Sequence, residues 1–136
     1  MPTPPVSPLI ALLTAARVWD AELTAALRPL GLTTRKYGLL GHIRSSPDVS
    51  FSELARRSRI SVQSAHVSIA PLVEAGLVDD ATAHAGASSA LRVTAAGEAV
   101  LAAAAEVVVA LDERLEGELP VVVRAIRATV EGVADT

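Results

Sequence analysis

Three arginines fall within four residues, Arg56, Arg57 and Arg59, just ahead of Ser61-Val62-Gln63-Ser64-Ala65-His66. Guanidinium groups this dense can neutralise phosphate oxygens. The glutamine, the two serines and His66 carry donors and acceptors suited to base edges or to phosphates. Arg35, Lys36 and Arg92 add cations to the same part of the chain. The plainer reading of the arginine run is a solvated helix face. A second group is Trp19, Tyr37 and Arg44. Arg44 follows Tyr37 by two helical turns along one stripe, so the pair suits an anionic aromatic molecule, or else makes an ordinary surface contact. Trp19 and Tyr37 either line such a pocket or fill the core or a dimer interface. His42, His66 and His84 lack the spacing of metal ligands. Asp112, Glu113, Glu116 and Glu118 read as a solvated face near a helix end. No nucleophile–base pair, glycine-rich phosphate loop or paired carboxylate stands out. No cofactor or metal is expected, and a binding protein is expected ahead of an enzyme.

Helical patterns must position these groups. Leu12, Ala16, Trp19, Leu23 and Ala26 recur at spacings of three and four, which predicts a helix from Leu9 to Leu27 or Arg28 that Pro29 and Gly31 end. The proline-rich start reads as an extended arm. Thr33 or Thr34 caps a second helix, with Tyr37, Leu39, Leu40 and Ile43 apolar, and Ser45-Ser46-Pro47 stops it. Ser50-Phe51-Ser52-Glu53 has the form of a capping box, with Glu53 reaching back to the cap. A short helix runs from there to Ser58. After a turn at Ile60, Ser61 caps a helix to Ala75, and Gly76 supplies the left-handed residue beyond it. Two helices joined by a tight turn make a helix-turn-helix. Leu77-Val78 and Leu91-Arg92-Val93 are strand-like around a small polar loop, Asp79–Ala90, and so form a hairpin wing. A long helix then runs from Thr94 to about Glu116, and a last one from Pro120 to about Val133. Apolar residues cover much of the circumference of these two helices, which calls for a partner chain.

Composition narrows the class. The 136 residues are 51% hydrophobic but only 2% aromatic, so one domain with an Ala/Val/Leu/Ile core is expected. With no cysteine, disulfides and thiolate metal sites are excluded. No export signal or membrane-length apolar run is visible, which predicts a cytoplasmic protein away from membranes. The net charge is −3, but residues 32–97 hold seven Lys/Arg against five Asp/Glu, a local charge of +2, whereas the flanks hold five against ten and carry −5. A basic middle between acidic flanks is the pattern expected if only the middle meets phosphate.

Four stretches, in order, resemble the MarR family of dimeric bacterial transcriptional regulators: Leu32–Leu40, Ser52-Glu53-Leu54-Ala55, Leu72–Val78 and Leu91–Gly97. The resemblance covers nearly the whole chain. It implies a mainly α fold with a small β-wing, a winged helix-turn-helix lobe at 32–97 and dimerisation helices at 9–28 and 95–133. It also implies a homodimer whose two recognition helices enter successive major grooves of a palindromic operator in double-stranded DNA. A small ligand, aromatic and anionic if Arg44 meets it, would bind between the dimer helices and the wing lobe and alter the spacing of the reading heads.

The chain departs from that pattern in three places. The family's wing usually carries an arginine for the minor groove, whereas this chain has Ala85-Gly86-Ala87 there and no Lys or Arg from Asp79 to Ala90. The segment from Ser61 to Ala75 has no Lys or Arg either, so arginine-to-guanine contact is missing and Gln63 is left to read adenine. Pro71 lies inside that helix, where it removes the bond to the Val67 carbonyl and should bend the axis. Two readings therefore stand: a ligand-responsive DNA-binding regulator, repressor-like, or a dimer on the same scaffold that binds a small molecule, as a sequestering protein or enzyme, and has lost operator recognition.

Overall fold

The computed structural model describes residues 1–81 and 90–134. Helices dominate: α1 Pro8–Leu27, α2 Thr34–Ser45, α3 Phe51–Ser58, α4 Val62–Glu74, α5 Ala95–Glu118 and α6 Pro120–Ala134, with strands β1 Val78–Asp80 and β2 Leu91–Val93. This is the mainly α fold with a β-wing that the sequence predicts. Two compact units emerge from the contacts, residues 1–104 and 105–136.

Local chemistry sets the helix ends. The side chains of Ser7, Thr33, Ser50 and Ser61 each accept a backbone N–H two or three residues into the helix they precede, relieving donors that have no intrahelical partner. Ser7 and Pro8 start α1 within the segment expected to be extended, because proline fits the first turn of a helix. α4 closes on a Schellman motif: Leu77 N donates to Leu72 O at 2.9 Å and Gly76 N to Val73 O at 3.0 Å, with Gly76 at φ 76°. α4 is continuous through Pro71.

In the first unit, Leu39, Leu40 and Ile43 of α2, Leu54 of α3, Ile69 and Leu72 of α4 and Leu91 of β2 form one buried core with Leu27, Leu101 and Ala104. Val78 pairs with Val93 and Asp80 with Leu91 in the antiparallel hairpin. The first strand thus begins at Val78, one residue later than the pattern suggests. β2 is also held on its other side, where Asp48 N donates to Leu91 O and Leu91 N to Val49 O, both at 3.0 Å. Thr94 joins wing to helix: its Oγ1 donates to Gly76 O at 2.6 Å and accepts from Gly97 N at 3.1 Å. The wing tip, with His84, Ala85-Gly86-Ala87, Ser88 and Ser89, lies outside the described residues.

In the second unit, Val123 is buried and Arg127 forks onto Glu116 at 3.2 and 3.3 Å. Val109, Val121, Val122, Ile126 and Val130 remain exposed, as do Leu9, Ile10, Leu12, Leu13 and Val18 on α1 in the first unit. Apolar side chains this large on so many successive turns mark surfaces built for burial.

Candidate nucleic-acid interface

α3 and α4 form the helix-turn-helix, and its turn has an unusual residue. Ile60 N donates to Ala55 O at 3.0 Å and Arg59 N to Arg56 O at 3.3 Å, again a Schellman closure. Here the left-handed position is held by Arg59, at φ 55°, where glycine would be free of strain. A non-glycine residue costs roughly 1 kcal/mol or more there. Its guanidinium is exposed and has no ion pair among the described residues. Arg35 and Lys36, in the first turn of α2, are likewise without an ion pair among the described residues.

The other cations are engaged. Glu53 does not reach back to its cap; its carboxylate takes Arg56 at 3.0 and 2.5 Å and Arg57 at 2.9 Å. Arg57 also donates to Ser46 Oγ. Arg56 foremost, then Arg57, hold the Glu53 carboxyl down from its ordinary 4.5 to about 2. Arg92 forks onto Asp48. These pairs are exposed, so each is weak enough to exchange for phosphate.

α4 presents Val62, Gln63, His66 and Val67 to solvent, Val67 at 65% and Val62 at 44% exposure, while Ala65, Ile69 and Leu72 face the core. Ser61 Oγ donates to Ser64 Oγ at 2.9 Å and accepts from Ser64 N at 3.0 Å, so both serines are occupied with capping. The His66 ring stacks on Phe51, centroids 3.8 Å apart and planes 20° apart.

Trp19 is half-buried in α1, and Tyr37 is half-buried against the core. Arg44 turns to Glu98, 3.2 Å away, and lines a small cleft with Pro47, Arg92 and Glu98. Among the described residues, no group of three His, Asp or Glu could hold a metal, and no helix is long and apolar enough to cross a membrane. Sequence reasoning passed over Asp48 and took Thr94 only as the start of a helix, without its bond to Gly76 O. Both follow recognisable signals, a turn after Pro47 and a Thr-x-x-Gly helix start, but their partners are distant in the chain.

A helix-turn-helix with a two-stranded wing and an exposed second helix defines the winged helix-turn-helix class. The chain belongs to the MarR family, whose model matches residues 30–87. The HTH-type transcriptional repressor Rv2887 of Mycobacterium tuberculosis is 36% identical over 99 residues, 72% of this chain and 71% of that one. The crystal structure of Rv2887 in complex with DNA has a TM-score of 0.79 at 28% identity, covering 95% of this chain and 98% of that one. Its complex with salicylic acid has a TM-score of 0.72 at 30% identity, over 96% and 98% of the two chains.

Proposed function

We propose that this chain is a ligand-responsive, DNA-binding transcriptional repressor that acts as a homodimer in the cytoplasm. The observation that carries the reading is the exposed face of α4, with Arg59 in the turn before it and Arg35 and Lys36 in the first turn of α2, three cations with no ion pair among the described residues. Those cations anchor phosphates. Arg56, Arg57 and Arg92 add contacts when they exchange their carboxylates for phosphate. Gln63 offers a bidentate contact to adenine, and the Val62 and Val67 side chains suit thymine methyl groups. The reading face therefore favours A·T-containing half-sites. With their hydroxyls occupied, Ser61 and Ser64 hold the helix start, and His66 contributes through its outer ring edge.

The whole chain works as one module. Residues 32–97 are the reading lobe and helices 9–28 and 95–133 the dimerisation scaffold. The exposed apolar residues of α1 and α6 support this, since burying each against a partner stabilises the dimer by about 1.5–3 kcal/mol. A dimer offers two α4 helices to a palindromic operator. The relative crystallised with DNA, salicylic acid and p-aminosalicylic acid supports both DNA binding and ligand response.

The second reading, a small-molecule binder without operator recognition, draws on the absence of Lys and Arg from α4. Anisotropy titrations with DNA from upstream of the chain's own gene and with a shuffled duplex separate the two. Preferential binding of the upstream duplex supports the repressor; equal or absent binding of both supports the alternative.

A further inference from the structure

The His66–Phe51 stack joins the reading helix to the helix before it. Phe51 is the chain's single phenylalanine and the first residue of α3, where it is buried at 8% exposure. His66 stands about one turn on from Gln63 on the exposed side of α4. With centroids 3.8 Å and planes 20° apart, one face of the imidazole lies on a fixed ring while the residue stays exposed. A side chain already held in one place loses less freedom when it binds. The two rings open onto a cleft otherwise lined by Ile69, Ala70, Val73, Glu74 and Asp80. That lining has two carboxylates and no Lys or Arg, so it repels a phosphate but tolerates an uncharged base edge.

We propose that His66 reads a guanine in the major groove and that Phe51 is its positioning residue. The proposal rests on the repressor reading. A ring N–H meets two neighbouring acceptors on guanine, N7 and O6, whereas adenine offers N7 beside an N6 donor. α4 has no Lys or Arg, so the usual partner of guanine is missing and His66 takes its place. The three residues from Gln63 to His66 advance about 4.5 Å along the helix, against about 3.4 Å per base pair. The guanine therefore lies about one or two base pairs from the adenine assigned to Gln63.

Titrations of the full chain with the upstream duplex, each G·C pair changed in turn to A·T, test the base. In wild type one such change per half-site should weaken binding about tenfold, the lower end of discrimination by a base contact. His66→Phe keeps a ring on Phe51 but has no donor; it should melt with wild type, and the same change should then cost nothing. Phe51→Leu should lose most of the preference and Phe51→Tyr should keep it, a rescue that needs the ring and not merely a filled core. A guanine preference unchanged in His66→Phe or in Phe51→Leu overturns the proposal. So does a wild type that favours the upstream duplex with no guanine dependent on His66. Proton NMR of the free protein needs no DNA: the His66 ring protons should lie upfield in wild type relative to Phe51→Leu, and equal shifts overturn the positioning role. If the upfield shift is present but the upstream duplex binds no tighter than a shuffled one, the repressor reading fails and the guanine contact falls with it.

Discussion

Arg92 and Asp48, 44 residues apart, meet in a two-pronged ion pair, with Nε 2.6 Å from Oδ1 and Nη2 2.5 Å from Oδ2. Asp48 is held in the left-handed region at φ 68°, with its N–H on Leu91 O. The hydrogen bond from Arg92 keeps its carboxyl below the usual carboxylate range. The one cation of the wing strands therefore ties the segment after α2 to β2. Asp48→Asn tolerates the same backbone geometry but releases Arg92. It should bind DNA more tightly, with a salt slope steeper by about one per chain engaged. A slope no steeper than wild type would show that Arg92 does not reach the duplex.

Gly97 meets the wing at a distance no side chain allows. A Cβ there would lie 2.2 Å from Leu77 O and 2.6 Å from Val93 Cγ1. Gly97→Ala should push the start of α5 away from β2, costing about 1–3 kcal/mol and lowering the melting temperature by several degrees. Gly38→Ala, with open space around it, should gain about 0.5–1 kcal/mol. Thermal melts of the two variants check both signs.

The Glu53 carboxyl, at about 2 folded against an ordinary 4.5, sets an acid limit. A depressed carboxylate contributes stability that is fully present above its unfolded value and is lost as pH falls from 4.5 towards 2. Glu53→Gln should therefore melt below wild type at neutral pH, and the gap should close through that window. A gap that stays constant would mean that the Arg56 and Arg57 contacts do not hold in solution.

Gln63 and Val67 carry the proposed reading of A·T pairs. Gln63→Ala should relax discrimination at an adenine, costing about 1–3 kcal/mol for the preferred duplex alone. Val67→Ala should weaken preference at a neighbouring thymine. Binding measured across single-base variants of the upstream duplex decides. A uniform loss over all sequences would assign these residues to general affinity rather than readout.

Much of the fold was legible because it is local. Ser50 and Ser61 announce helix starts by side chains that act within three residues, and Gly76 announces an end by its own backbone. The period of Leu39, Leu40 and Ile43 marks a buried stripe without knowledge of what covers it. The exposed face of α4 was legible for the same reason: once Ser61 is the cap, its outward positions follow from helical geometry. What the charges do was not legible. Arg57 and Arg59 look alike in the chain, yet one bonds Glu53 and Ser46 while the other, in a left-handed turn, has no ion pair among the described residues. Arg92 meets Asp48 across 44 residues, a pairing that exists only after the wing has closed.

The central claim is that Arg35, Lys36 and Arg59, which have no ion pair among the described residues, contribute more to holding DNA than the paired arginines of α3. The salt dependence of affinity for the upstream duplex tests it most directly, comparing wild type with the triple variant Arg35→Gln, Lys36→Gln, Arg59→Gly and with Arg56→Gln, Arg57→Gln. Glycine at position 59 removes the charge while suiting the turn. Each lost phosphate contact lowers the slope of log K against log salt by about 0.9. The triple variant should lose close to three per chain engaged, and the α3 pair less. A triple variant with the wild-type slope would contradict the account.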